Sequence, residues 1–322
     1  MYRNKRVMVL GSTGFIGTNL SAALISAGVR PCLVGRMRSR LRLSVEPGTF
    51  HFEEVSDLTQ PDLVEDLILT HQPQVVFNLV ACDVESSEKK PEKAHETNCR
   101  LVERAVTAVS GINPGTWQGA RFVHTGTALE YGAVHGPLHE DGPAVPTTVY
   151  GRTKLEGTLT LKKLAASNDI PAITARLFTV YGPFEAAGRL LPYLAGCAAS
   201  GRPARLTQGI QKRDFTFVAD VVEGLLRLGA CSRPRGTPVN LATGKLTSVS
   251  EFVQAAALVL GMRPEKLRFG QLGTRPWEMK HKPVTIRRLL DLTGWAPLTM
   301  PPAGIEETLE YLNSIMLQNG EV

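Results

Sequence analysis

The chain has 322 residues, 43% of them hydrophobic, with 36 basic and 30 acidic side chains giving a formal net charge of +6. That length allows one large or two ordinary domains, and the apolar fraction is ample for a core, yet no apolar run is long enough to span a bilayer. The basic residues are dispersed, with no stripe interleaved with aromatics, so neither nucleic acid nor a membrane is expected as a partner; anionic small ligands explain the excess more simply.

Residues 1–6 are polar and basic and lead straight into a strand without a signal-peptide cleavage pattern, so the expected compartment is the cytoplasm. Cys32, Cys82, Cys99, Cys197 and Cys231 are odd in number and widely spaced, which points to reduced core thiols. The seven histidines show no ligand spacing, so no metal site is expected.

The first apolar run, Val7 to Leu10, reads as a buried parallel strand, and residues 19–27 take helical spacing through Leu20, Ala23, Leu24 and Ala27. Between them lies Gly11-x-x-Gly14-x-x-Gly17. Gly11 allows the tight turn, Gly14 lets backbone N–H groups approach a pyrophosphate at the helix N-terminus, and Gly17 lets helix and strand pack closely; strand, turn and helix together predict a dinucleotide coenzyme. A second strand at 31–34 runs into Gly35-Arg36. Binders of NAD place an acid at that strand end for the ribose hydroxyls. Its absence, with Arg36 followed by Arg38, Arg40 and Arg42, favours the 2′-phosphate of NADP(H), with NAD(H) as the alternative. A solvated basic loop would look the same. Asp57, at the end of the next extended run, suits an adenine contact or an ordinary turn.

Strand-like runs continue at 74–79, 120–125 and 172–178, separated by helix-like runs at 61–70, 94–109 and 150–167. This alternation predicts an α/β fold, a doubly wound Rossmann-type parallel sheet with ligands at the carboxyl ends of its strands. After Phe178 the rhythm breaks in a Pro/Gly-punctuated segment from Tyr181-Gly182-Pro183 to Gly209; a helix returns at 218–228 and a short strand at Val239-Asn240-Leu241. Residues 1–180 plus 215–245 are expected to form the coenzyme domain, and 181–214 plus 246–322 a smaller, mostly helical substrate-binding lobe.

Tyr150-Gly151-Arg152-Thr153-Lys154 sets a phenol and an ammonium four residues apart, on one face of a helix. A lysine cation beside a tyrosine favours the phenolate and would bring the phenol into use as an acid/base near neutrality. Such a pair also occurs as exposed helix decoration. Thr127 lies just past the strand at 120–125, at the sheet edge where a substrate carbonyl would sit, and its hydroxyl can donate to that carbonyl and accept from Tyr150; a turn-forming threonine is the plainer alternative.

These residues resemble the extended short-chain dehydrogenase/reductase family of nucleotide-sugar epimerases, dehydratases and ketoreductases. The resemblance spans nearly the whole chain: the glycine turn, Asp57-Leu58-Thr59, Asn78-Leu79-Val80-Ala81, Asn98, Thr127 to Gly132, Tyr150-x-x-x-Lys154, Arg176 to Pro183, Arg213-Asp214-Phe215 with Val218 and Asp220, and Gly294-Trp295-x-Pro297. It implies a catalytic triad of Thr127, Tyr150 and Lys154, with Lys154 also on the nicotinamide ribose. It implies coenzyme contacts from Gly11, Thr13, Gly14, Phe15, Ile16, Gly17, Arg36, Asp57, Leu58, Val80 and Ala81. Substrate contacts fall on Thr127, Ala128, Thr179, Arg189, Arg213 and Arg275, the last two on the nucleotide diphosphate. Thr179 stands where many relatives carry Asn, and Pro276-Trp277-Glu278 replaces the usual Gly-Asp or Gly-Glu.

Dehydratases of this family place Asp-Glu directly after the catalytic Thr, because elimination of water needs an acid and a base; here those positions are Ala128 and Leu129. Leu129 also stands where bifunctional epimerase-reductases carry a Cys. What remains is hydride and proton transfer at one carbon. Gly35-Arg36 favours NADPH consumption, and the segments 129–132 and 206–215 resemble those of reductases of CDP- or GDP-linked 4-keto-6-deoxyhexoses. The expected activity is therefore NADPH-dependent reduction of a nucleotide-linked 4-keto-6-deoxyhexose; a nucleotide-sugar 4-epimerase and a catalytically idle NADP-sensing protein are the alternatives. Relatives often pair through two long helices, so 94–109 and 153–167 are expected to form a homodimer contact, unless their apolar faces simply cover the sheet.

Overall fold

The computed structural model describes residues 1–37, 41–43, 45–46, 48–232, 234–273, 278 and 281–318, with backbone alone over 315–318. The chain opens with β1 (Val7–Leu10), α1 (Phe15–Ser26), β2 (Cys32–Gly35), β3 (His51–Glu54), α2 (Leu63–His71) and β4 (Val75–Asn78). Next come α3 (Val84–Lys89), α4 (Pro91–His95), a π-helical turn at Glu96–Arg100 and α5 (Leu101–Ser110). Then follow β5 (Phe122–Thr127), α6 (Val149–Ser167), β6 (Ala172–Leu177) and β7 (Thr179–Tyr181). The 94–109 run is therefore not one helix, since the wide turn interrupts it.

Beyond Tyr181 the segment read as irregular contains α7 (Leu190–Ala199), followed by β8 (Ala204–Arg205), β9 (Lys212–Arg213) and β10 (Phe215–Phe217). Pro192 had argued against a helix there, but it sits in the first turn, where its missing N–H goes unused. The remainder is α8 (Val218–Ala230), β11 (Arg235–Leu241), β12 (Thr247–Ser248), α9 (Val249–Val259), β13 (Leu267–Arg268), α10 (Arg287–Thr293) and α11 (Pro301–Gln318).

Seven strands form one parallel sheet in the order β11-β6-β5-β4-β1-β2-β3. Alternate residues of each strand face opposite sides, and the core divides accordingly. Val7, Val9, Leu33, Phe77 and Val123 pack with Leu20 and Leu24 of α1 and Val221 and Leu225 of α8. Met8, Leu10, Val34, Val76 and Phe122 pack on the other side with α2, α5 and α6. Both faces being covered, the central strands β1 and β4 are wholly buried, which explains the unbroken apolar run of β1.

The order reverses between β1 and β4, and a crevice opens there past the carboxyl ends of the strands. The elements outside the sheet join the first apolar cluster directly, since Leu191, Phe215, Phe217, Phe252 and Ile305 are continuous with Val9 and Phe77.

Candidate functional site

The crevice at the sheet's reversal holds a cavity of about 500 Å³ lined by Gly11, Thr13, Gly14, Gly35, Arg36, Asp57, Leu58, Leu79, Val80, Ala81 and Cys82. Gly11 has φ +83°, which an L side chain rarely adopts, and a Cβ on Gly17 would meet the Gly11 carbonyl oxygen at 2.1 Å, so helix and turn pack only as glycines. Phe15 and Ile16 turn the other way and pack on the core, so their side chains do not line the cavity.

The strand end has no acid, and the Cβ absent from Gly35 leaves room for Thr13 beneath it. Asp57 lines the cavity but also closes its own turn, accepting from Thr59 N at 3.0 Å and Thr59 Oγ1 at 2.7 Å, with Lys93 Nζ at 3.2 Å. Burial pushes its pKa up, but these contacts outweigh it and hold the carboxyl below its usual range. Arg42 is engaged with Phe184: its Nη2 donates to the Phe184 carbonyl at 2.8 Å and its guanidinium lies 4.9 Å from the Phe184 ring centre. Arg38 and Arg40 fall outside the described residues.

Thr127 ends β5 and is built in from both sides. Its backbone N–H donates to Glu130 Oε1 at 2.8 Å, and its Oγ1 accepts from Leu129 N at 3.3 Å. Glu130, fully buried, accepts in turn from Arg176 Nε at 2.8 Å and Thr158 Oγ1 at 3.1 Å. The Arg176 guanidinium stacks 4.6 Å from the centre of the Tyr131 ring, whose hydroxyl donates to Asn240 Oδ1 at 2.7 Å. Sequence reading gave Glu130 no role, because its partners lie 28 and 46 residues away.

Tyr150 and Lys154 sit in the first two turns of α6, which Thr148 caps through Gly151 N. Burial first, and then the Glu130 charge, push the Tyr150 phenol above its ordinary pKa; the Thr127 hydroxyl hydrogen-bonded to it and the Arg189 charge pull the other way. Four residues on, Lys154 follows Tyr150 on the same face of α6. Its own Nζ is buried without a partner among the described residues, and burial, opposed by Glu130, brings it down to about 8. Close by, burial and the Lys154 charge hold His124 well below its ordinary range, so it is a neutral imidazole.

The π-helical turn supplies Asn98, which accepts from Cys82 N at 3.1 Å and donates to Thr153 Oγ1 at 2.9 Å, tying the cavity wall to α6. A glycine-walled cavity of this size, tied through Asn98 to the helix turn that carries a buried ammonium without a partner among the described residues, fits a nicotinamide dinucleotide. Lys154 would hold ribose hydroxyls, and the first turn of α1 the pyrophosphate.

A second cavity of about 380 Å³ is lined by Thr179, Glu185, Arg189, Arg213 and Glu278 among others. Arg213 is bonded to Glu278 through Nη2, and burial with the nearby Arg213 charge presses His281 down to about 4. Ala128 is buried and does not line this cavity, and Arg275 lies outside the described residues. Cys82 lines the first cavity and Arg189 the second, and both charges act on the Tyr150 phenol.

Histidines without ligand spacing in sequence do meet in space: His51 and His71 both approach Glu53 Oε1, at 2.6 and 2.8 Å, at the outer edge of the sheet, far from the triad in the topology. No helix among the described residues is long and apolar enough to cross a membrane.

Three known proteins bear on this arrangement. A dTDP-6-deoxy-L-talose 4-dehydrogenase (NAD(P)(+)) of Kitasatospora kifunensis is 30% identical over 91% of this chain and 91% of its own length. A UDP-glucose 4-epimerase of Mycolicibacterium smegmatis is 26% identical over 96% of this chain and 99% of its own. The solved structure of MoeE5 in complex with UDP-glucuronic acid and NAD superposes with a TM-score of 0.81 at 27% identity, covering 96% and 99% of the two chains. Residues 7–242 match the NAD dependent epimerase/dehydratase family, and the chain belongs to it, as an extended short-chain dehydrogenase/reductase.

Proposed function

We propose that the protein reduces the C4 keto group of a nucleotide-linked 4-keto-6-deoxyhexose, using NADPH and with Tyr150 as the proton donor. The observation that supports this reading is the Thr127 hydroxyl beside the Tyr150 phenol, with apolar Ala128 and Leu129 at the positions where elimination of water would need an acid and a base. The coenzyme, when bound, supplies the hydride to the carbonyl carbon. Tyr150 gives its proton to the carbonyl oxygen as charge develops there, and a phenol kept protonated by burial is in the state that a reduction requires. Thr127 shares that oxygen through its hydroxyl. Lys154, once its ammonium holds ribose hydroxyls, sits beneath the phenol and eases the loss of its proton. The relative that acts as a 4-dehydrogenase of a 6-deoxyhexose supports redox chemistry at C4.

Preference for NADP(H) rests on Arg36 at the wall of the first cavity and on the missing acid at Gly35. Arg36→Ala should narrow the preference for NADPH over NADH by about one to two orders of magnitude, the scale of a lost charge-assisted contact of roughly 1.5–3 kcal/mol. The residues with Thr179, Arg189 and Arg213 around the second cavity are proposed to take the nucleotide sugar, and the elements carrying them form the substrate lobe.

A second reading, 4-epimerisation with retained coenzyme, is favoured by the similarity to a UDP-glucose 4-epimerase. The purified protein incubated with NADPH and a panel of nucleotide 4-keto-6-deoxyhexoses decides between them. One NADPH oxidised per keto sugar consumed is the expected result, whereas interconversion of C4 epimers of UDP-hexoses without added NADPH would replace the reductase with the epimerase. No turnover in either assay would leave a coenzyme-binding protein without this chemistry.

We also propose a homodimer through the outer faces of the Glu96–Arg100 turn and α6. They carry a groove lined by His95, Cys99, Glu156 and Leu159, and Leu159 is an exposed apolar residue there. Light scattering at micromolar concentration tests the mass.

A further inference from the structure

The mechanism above leaves one buried carboxyl group of the second cavity without a task. Glu185 follows a strained turn. Gly182 has φ 144°, and Phe184 has φ +70°, a left-handed conformation that is an outlier for so bulky a residue. The turn is held from several directions. Asn19 Nδ2 donates to the Pro183 carbonyl at 3.0 Å, Arg42 Nη2 donates to the Phe184 carbonyl at 2.8 Å, and the Phe184 ring packs 4.4 Å from that of Tyr311. Glu185 N donates to the Gly182 carbonyl at 3.2 Å. With Phe184 fixed outward on Arg42 and Tyr311, the next side chain is directed into the cavity wall beside Thr179 and Arg189.

The carboxyl group is poorly satisfied where it lies. Its side chain is only 7% exposed, Oε1 has a long contact of 3.5 Å to Arg189 Nε, and Oε2 is buried with no partner among the described residues. The Arg189 side chain is 57% exposed, so water competes for its charge and the pair is weakly bound. Burial, only partly offset by Arg189, lifts the Glu185 carboxyl to about 7. A buried acceptor with a free lone pair in a ligand cavity is unfavourable until a ligand brings a donor to it. Glu185 lines the cavity together with Thr179 and Arg189, residues proposed above to meet the nucleotide sugar, so it belongs to the wall that such a sugar would face.

We propose that Glu185 selects the sugar, accepting a hydrogen bond from a ring hydroxyl or ammonium group and turning away hexoses that carry a carboxylate. The inference rests on the nucleotide-sugar reading of the cavity and sharpens it, because a uronate would bring a second carboxylate against one that has no strong cation of its own.

The test is calorimetric titration of the full-length protein, saturated with NADP, with UDP-glucose and UDP-glucuronate, and with the dTDP-linked pair, for the native chain, Glu185→Gln and Glu185→Ala. At pH 8.5, where the native Glu185 carboxyl is ionised, the uronate should bind more weakly than the matching neutral sugar by roughly tenfold or more, because it must either meet a like charge in a desolvated site or bring a proton to it. Both variants should bring that ratio close to one while NADP affinity stays the same, which a merely structural role for Glu185 would not do. Equal native affinities for the two sugars, or a ratio that the variants leave unchanged, would overturn the inference and leave the nucleotide-sugar reading standing. If neither these four sugars nor their CDP- and GDP-linked counterparts bind the native protein, the nucleotide-sugar reading itself fails and the inference with it.

Discussion

On the proposed reading Tyr150 would enter the reaction as an acid, and its surroundings favour the protonated form, opposed by the Thr127 hydroxyl and the Arg189 charge. Tyr150→Phe should therefore lower turnover by about 10²- to 10⁴-fold, the usual yield of positioned proton transfer, with NADPH affinity nearly unchanged by fluorescence titration. Near-native turnover would move the acid elsewhere.

Lys154 makes a separate claim, on pH. Its folded pKa of about 8 lies below that of an unfolded lysine, so between that value and about 10.4 the unfolded chain binds more protons than the native one, and stability rises with pH across this window. Below about 8 the cost of the buried charge is present in full. Lys154→Met removes the term: denaturant midpoints of coenzyme-free native and variant protein should differ most at pH 7, with the variant the more stable, and converge by pH 10. Parallel pH curves would contradict it. The residues that sequence reading identified here, Thr127, Tyr150 and Lys154, were legible because each hangs on an element whose period is visible. Their electrostatics were not, since these depend on Glu130 and Arg189, which adjoin them only through the fold.

Among the elements, the β5–α6 connection is fixed by the buried Glu130–Arg176 pair more than by the turn itself. Glu130→Ala leaves the Arg176 guanidinium buried and unpaired and frees the Thr127 N–H, so it should cost about 3–5 kcal/mol in urea unfolding. Loss of both activity and stability together is expected, and a change below 1 kcal/mol would mean that water or Tyr131 takes over the pairing.

The elements read most accurately from sequence were β1, the glycine turn and α1, where apolar period, turn chemistry and helix spacing agree. The miss at α7 has a local cause, since Pro192, Gly196 and the uncapped start at Arg189 imitate a loop until the apolar face of Leu191, Leu194 and Cys197 finds the core. The short strands β8, β9, β12 and β13 carry two residues each, too few for alternation to show.

On the scale of the whole molecule, the apolar cluster that runs without a break from Val9 and Phe77 to Phe252 and Ile305 makes sheet and outer elements one cooperative body. Phe252, buried and stacked 4.1 Å from Phe215, lies far along the chain from β1. Phe252→Ala should lower stability by about 3–5 kcal/mol and shift tryptophan fluorescence and far-ultraviolet dichroism by the same midpoint. Two separated transitions would show the elements outside the sheet folding by themselves.

The wide turn at Glu96–Arg100 carries a further consequence, of phase. An α-helix advances about 100° per residue, and a π turn holds one residue more than an α turn, so everything before it is rotated against α5 by that angle. Delete one residue there and the helix would heal into regular α geometry. The α4 segment would then swing by about a quarter circle, carrying Lys93 away from Asp57 and withdrawing the Asn98 clamp between Cys82 and Thr153, while α5 kept its seat under the sheet. A single insertion into an otherwise ordinary helix is thus what keeps the wall of the coenzyme cavity in angular step with the helix that bears Tyr150 and Lys154.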